Sequence, residues 1–113
     1  MKKNCTFEVK RQDEILEFTL RGEIDHHSAV AIRTEMDQRI LSERPKKTVL
    51  DLEGIDFMDS SGLGLIMGRY ALMQRMGGEL TLRHPNERLC KIFELANLGR
   101  IVKIEDEGKE DEV

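Results

Sequence analysis

Apolar and polar residues alternate from the start of the chain. Cys5, Phe7 and Val9 are interleaved with Thr6, Glu8 and Lys10, the period of a strand with one buried face. Leu16, Phe18 and Leu20 alternate in the same way with Glu17, Thr19 and Arg21. Only the polar Arg11-Gln-Asp-Glu14 separates the two runs, so they are expected to pair as an antiparallel hairpin. The period then changes. Ala29, Ile32, Met36 and Ile40 recur three and four residues apart, with Arg33, Asp37 and Arg39 off that line. This pattern predicts an amphipathic helix of roughly four or five turns. Asp25 is placed to cap its start. The helix should stop near Glu43-Arg-Pro45, because a proline disfavours helical backbone in the residue before it.

Lys46 to Leu52 predicts a third strand, with a nearly continuous Val-Leu-Asp-Leu centre suited to the interior of a sheet. A short loop carrying Asp56 and Asp59 should then lead into a second helix, Ser60 to Met76. Leu63, Ile66, Met67, Tyr70 and Met73 form its expected buried stripe. Gly64 and Gly68 lie one turn apart, each costing about 1 kcal/mol of helix propensity; close approach to neighbouring elements is the expected return. Gly77-Gly78 ends the helix. Glu79 to Arg83 alternates again, as a fourth strand. His84-Pro-Asn86 opens a third helix with Pro85 in its first turn, Leu89, Ile92, Phe93 and Ala96 as its apolar face, and Gly99 as its stop. Ile101 to Ile104 predicts a last short strand. The order is β-β-α-β-α-β-α-β, with no repeat or linker. It predicts one α/β domain over residues 1–104: a mixed sheet with parallel neighbours beside an antiparallel hairpin. Strands that alternate this cleanly leave one face partly open, so the helices should gather mainly on the other.

Charge sharpens this outline. The formal net charge is −4 over 113 residues, but the last nine residues alone carry −5, which leaves the body at about +1. There is no basic stripe for nucleic acid. Residues 105–113 read as a solvated, disordered acidic tail. No run is apolar enough to span a bilayer, and Met1-Lys2-Lys3-Asn4 leads into a polar alternating segment rather than a signal peptide. Cys5 and Cys90 match no metal or redox spacing and read as reduced, half-buried thiols. A cytoplasmic, monomeric protein without membrane or nucleic-acid contact is expected.

The familiar chemistries fail on spacing. His26 and His27 are adjacent, so on a helix they point about 100° apart and cannot chelate together. With His84 they complete no zinc pattern. Neither a metal nor a cofactor is expected. Gly62, Gly64 and Gly68 miss the dinucleotide fingerprint, and Arg69-Tyr70 follows where a P-loop needs Lys-Ser or Lys-Thr. Ser60 has no nucleophile elbow around it, and Asp51 lacks the other parts of a phosphoaspartate receiver. Two readings of Asp59-Ser60-Ser61 remain. In the first, one of the three is simply the N-cap, worth about 1 kcal/mol. Alternatively, a serine here is a phosphorylation site. A phosphate adds roughly −1.5 to −2 charge, which a helix N-terminus tolerates, so the modification would alter a docking surface without unfolding the domain.

Two segments carry a resemblance. Ile55-Asp-Phe-Met-Asp-Ser-Ser-Gly-Leu-Gly-Leu-Ile-Met-Gly-Arg-Tyr70 resembles the phosphorylation-loop signature of the STAS domain, in particular of bacterial anti-sigma factor antagonists. Gly22-Glu-Ile-Asp-His-His-Ser-Ala29 is similar to the family's strand-to-helix segment, most of all in the sporulation type that opposes the anti-sigma F factor. The resemblance spans about residues 4–104. It implies a STAS-type mixed sheet with helices on one side, and binding rather than catalysis. The unphosphorylated antagonist would bind an anti-sigma factor that is itself a serine kinase, releasing the sigma factor. Phosphorylation at Ser60 would inactivate it, and a serine phosphatase would restore it. The implied partner-binding residues are Asp25, His26, Asp59, Ser60, Ser61 and Gly62. Alternatives within the family are a general-stress or scaffold module, or a nucleotide-binding domain with weak hydrolase activity. One departure is the short acidic end after the last strand, where the sporulation type continues into another helix.

Overall fold

The computed structural model describes residues 5–105. Its elements run β1 (Thr6–Gln12), β2 (Ile15–Ile24), α1 (His26–Glu43), β3 (Lys47–Met58), α2 (Ser60–Arg75), β4 (Glu79–Arg83), α3 (Glu87–Leu95), a 3-10 turn (Leu98–Arg100) and β5 (Lys103–Glu105). The strands form one sheet in the order β1-β2-β3-β4-β5. β1 and β2 are antiparallel, and every later neighbour is parallel.

That order explains the layering. After the hairpin, the chain moves one strand at a time in a single direction across the sheet. Parallel crossovers are right-handed, so an order that never reverses puts every crossover helix on the same face. Phe18, Leu50 and Leu82 lie side by side in register. They belong to one core with Met36 of α1, Ile66 of α2 and Phe93 of α3. Successive strand residues point to opposite faces, so the next row, Thr19, Asp51, Arg83 and Glu105, lies on the face without helices. Arg83 bridges along that row to Glu105 at 3.2 Å and diagonally to Glu17 at 3.4 Å.

The hairpin, α1 with buried Ala29, Ile32, Met36 and Ile40, and β4 match the periodicity. Four features differ. First, β3 does not end at Leu52 but continues to Met58, so Asp56 lies on a strand rather than in a loop. Two register shifts against β2, between Thr19 and Arg21 and between Gly22 and Glu23, each insert an extra residue into β3. Leu52, Ile55 and Met58 are therefore all buried at a spacing of three, which hides the strand from a period-two reading. Gly54 belongs to this distortion: a Cβ there would lie 2.9 Å from the carbonyl oxygen of Leu20.

Second, α2 is turned relative to the expected stripe. Its buried residues are Gly62, Leu65, Ile66, Arg69, Leu72 and Met73, while Leu63, Met67 and Tyr70 flank the core half-buried. The cause is Arg69, whose Nε lies 2.8 Å from Asp37 Oδ1 of α1; hydrophobicity alone never turns an arginine inward. Third, a Cβ on Gly64 or Gly68 would meet nothing within 4 Å, so neither glycine permits close helix contact. Fourth, α3 is capped by Asn86, leaving Pro85 outside, and it ends at Leu95 with Ala96 exposed. Asn97 takes the left-handed backbone that turns the chain, with φ 54°, so Gly99 falls inside the 3-10 turn rather than stopping α3. β5 takes in Glu105, one residue beyond the expected domain end. Residues 106–113 of the expected tail lie outside the described residues.

Candidate functional site

The site grows out of the β2–β3 pair. Ile24 and Met58 face each other in register at the strand ends, and an aspartate follows each. The Asp59 N–H donates to the Ile24 carbonyl at 3.2 Å. Two helix N-termini, α1 and α2, therefore begin side by side. Asp25 caps α1 in a reciprocal box: Ser28 N–H donates to Asp25 Oδ1 at 2.9 Å, and Asp25 N–H donates to Ser28 Oγ at 3.1 Å. Such a box satisfies two helix-end donors at once.

Asp59 caps α2, with Oδ1 accepting from Ser61 N–H at 2.8 Å. This resolves the three-way choice of cap. Ser60 is the first helical residue and is exposed, while Ser61 is half-buried. Because the aspartate does the capping, no hydrogen bond to a described residue engages either serine hydroxyl. Ser60 thus stands on the surface directly after the capping Asp59, on the edge that also carries Asp25, and at the positive end of a helix dipole.

Gly62 plays a different part. It is buried, and a Cβ on it would come within 2.6 Å of Met58 Cβ and 2.7 Å of its sulfur. Only glycine lets the first turn of α2 close onto the end of β3. Gly62 thus shapes the site from beneath and offers no surface.

His26 opens α1 and is exposed. It lines a groove of about 220 Å³ between the two helices with Ala29, Val30, Arg33, Ser61, Gly64 and Leu65. The bare backbone at Gly64 leaves that groove open. The structure therefore brings Asp25, His26, Asp59, Ser60 and Ser61 together on one edge of the domain. Cys5 is not a reactive neighbour: burial pushes its thiol up to about 11, opposed by a backbone hydrogen bond at Arg21 and reinforced by the Asp25 charge.

Two residues of this edge escaped the sequence reading. Phe57 is 39% exposed at the end of β3; an aromatic residue beside the serine is a contact feature hidden by the strand's broken period. Asn86 donates through Nδ2 to the carbonyls of Ile55 and Asp56, at 3.1 and 3.3 Å, while its Oδ1 caps α3 by accepting from Leu89 N–H. It ties a third helix start to the same edge. The Pro-Asn pair before an apolar run was its signal.

Fold and site together define a small α/β domain with a serine displayed at a helix start. The chain belongs to the STAS domain family, whose model matches residues 6–110. It is 36% identical over 103 residues to the anti-sigma F factor antagonist of Paenibacillus polymyxa, covering 91% of this chain and 88% of that one. It is 31% identical over 101 residues to the anti-sigma-B factor antagonist of Bacillus subtilis, covering 89% and 91%. Among solved structures it resembles the antagonist SpoIIAA at 28% identity. The TM-score is 0.78 to the unphosphorylated form, covering 93% of this chain and 92% of that one. It is 0.71 to the phosphorylated form, covering 95% and 97%.

Proposed function

We propose that this protein is an anti-sigma factor antagonist switched by phosphorylation at Ser60. The unphosphorylated form docks on an anti-sigma factor that is a serine kinase, through Asp25, His26, Asp59, Ser60, Ser61 and the neighbouring Phe57, and so frees the sigma factor. The kinase transfers the γ-phosphoryl group of ATP to Ser60 Oγ. The bond to the β-phosphate breaks, ADP leaves, and the hydroxyl proton passes to a base on the kinase. A serine phosphatase hydrolyses the ester and restores the antagonist. The domain itself is a binding module and not an enzyme.

The observation that carries this reading is the exposed Ser60 hydroxyl, which no described residue engages because Asp59 already caps α2. Among the described residues the phosphate can be added without removing a hydrogen bond that holds the fold. Its charge of roughly −1.5 to −2 is tolerated by the free N–H end of the helix. On the docking surface the same charge falls next to Asp59, on the edge that also carries Asp25, where it repels an acidic partner surface and adds bulk to any other. The names of the relatives supply the partner class, and the two solved states of SpoIIAA support a fold that accepts the phosphate.

A pull-down from lysate tests this, run with ADP and then ATP, with mass spectrometry of the bait. A kinase should be captured with ADP, and phosphate should appear at Ser60 with ATP. Ser60→Ala should bind without being phosphorylated, and Ser60→Asp should lose the partner. Undiminished capture by Ser60→Asp places the switch elsewhere. The match to the Bacillus subtilis sigma-B relative supports a second reading, the same switch in a general-stress circuit. The sigma factor that the captured kinase holds separates the two.

A further inference from the structure

Asp51, Glu53 and His84 meet on the sheet face that carries no helix. Asp51 and Glu53 are alternate residues of β3, and His84 follows β4, the neighbouring strand. The His84 backbone is left-handed, with φ 59°, and its N–H donates to the Glu105 carbonyl at 2.9 Å. Its Nδ1 lies 3.4 Å from Asp51 Oδ1 and 3.9 Å from Glu53 Oε1. One donor atom from each of the three residues lies within 4.8 Å of the others. We propose that these three residues form a divalent transition-metal site, of the zinc, cobalt or nickel class.

Three observations lead there. The first is spacing: an ion with bonds of about 2.0–2.1 Å in tetrahedral geometry holds its donors roughly 3.3 Å apart. The His84–Asp51 edge, at 3.4 Å, is already near that value, and Glu53, 3.9 Å from His84 with 78% of its side chain exposed, has room to close the remainder. The second is charge. Asp51 is only 15% exposed at its side chain, yet no lysine or arginine among the described residues forms an ion pair with it or with Glu53. Arg83, the nearest in the chain, is engaged by Glu17 and Glu105 instead. Asp51 Oδ1 accepts the Glu53 N–H at 3.0 Å, but among the described residues no fixed cation balances the two carboxylates beside His84, a negative balance that a metal ion neutralises. The third is donor type. One imidazole nitrogen with two carboxylate oxygens is a borderline set that favours late first-row ions over calcium or magnesium. Three protein ligands leave one position for water or a group from a partner. Residue spacing along the chain hides this site, because the histidine lies 33 residues from Asp51 and arrives only through strand pairing.

Calorimetric titration of the full chain with zinc tests the site, with the visible spectrum of the cobalt complex as a readout of geometry. One ion per chain should bind, with tetrahedral cobalt bands. His84→Ala and Asp51→Asn should each weaken binding by about tenfold or more, in line with other perturbed metal sites, and Glu53→Gln should weaken it less. The double variant His26→Ala/His27→Ala should bind as the parent does. If Asp51→Asn fails to fold, as judged by circular dichroism, His84→Ala and Glu53→Gln carry the test alone. Absence of saturable zinc binding, or affinity unchanged in His84→Ala, overturns the proposal.

Discussion

At the residue scale, each side chain of the Ser60 edge does one job, and the jobs separate experimentally. Asp59 holds the helix end, so Asp59→Ala should cost about 1 kcal/mol of stability, the usual worth of a cap. The Ser60 hydroxyl holds no other described residue, so Ser60→Ala should leave the unfolding midpoint within experimental error. Gly62 makes room. Gly62→Ala drives a methyl group into Met58 and should cost about 1–3 kcal/mol, the range for overpacking. Urea unfolding of the three variants checks the order: Ser60→Ala least, Gly62→Ala and Asp59→Ala clearly below it. Cys5 offers a pH test. Its folded-state value, raised from 9.0 to about 11, lies above that of the unfolded chain. The folded form thus holds the thiol proton more tightly. The stabilisation is fully present below pH 9 and is lost as pH rises from about 9 through 11. A Cys5→Ser variant should lose that alkaline fall in stability. The comparison is the difference between the two pH profiles.

At the element scale, the α1–α2 contact rests on an ion pair whose members are unequally buried. The Arg69 side chain is 6% exposed and that of Asp37 is 32% exposed. Burial lowers the Arg69 pKa, Asp37 opposes that shift, and Arg33 adds to it. Removing the counterion leaves a buried charge unpaired, whereas removing the arginine leaves a carboxylate that water can reach. Asp37→Ala should therefore destabilise by about 1–3 kcal/mol, below the 3–5 kcal/mol typical of fully buried pairs because Asp37 is partly hydrated. Arg69→Met should be close to neutral. Chemical denaturation of both variants checks the asymmetry, and equal losses would show that the pair acts by packing alone. The same contact sets the α2 stripe. The helix was legible in the sequence, but its rotation was not, because the residue that decides it is charged.

At the scale of the whole molecule, the proposed switch should change binding and not folding. Phosphorylation at Ser60, or Ser60→Asp, should abolish partner capture while leaving the thermal midpoint nearly unchanged, since among the described residues no hydrogen bond of the fold passes through that hydroxyl. Acid should act through the periphery. The Glu105 carboxyl lies below its ordinary value of 4.5: burial opposes the shift, but the hydrogen bond and charge of Arg83 prevail, with Lys47 and Lys103 in support. Glu43 is lowered as well, chiefly by its hydrogen bond to Arg39. The folded state thus binds these protons less tightly than the unfolded chain. Their stabilisation is present above about pH 4.5 and is lost as pH falls below it. Glu105→Gln should remove part of that acid sensitivity, measured as the stability difference between pH 6 and pH 3.5.

The sequence by itself determined the identity and order of the elements, the hairpin, the face of α1 and the position of the serine at a helix start. All of these rest on contacts between near neighbours in the chain, where period, caps and breakers act directly. It also carried the family resemblance, which selected Ser60 from a cluster that physics left ambiguous. Only the tertiary structure decided what depends on partners far along the chain. β3 runs on to Met58 because β2 continues beside it with two shifts of register. α2 turns because Asp37 of another helix receives Arg69. Asp25 and Asp59 stand side by side because Ile24 and Met58 pair. Strand pairing and helix packing convert residues tens of positions apart into neighbours, and a period measured along one chain has no term for that.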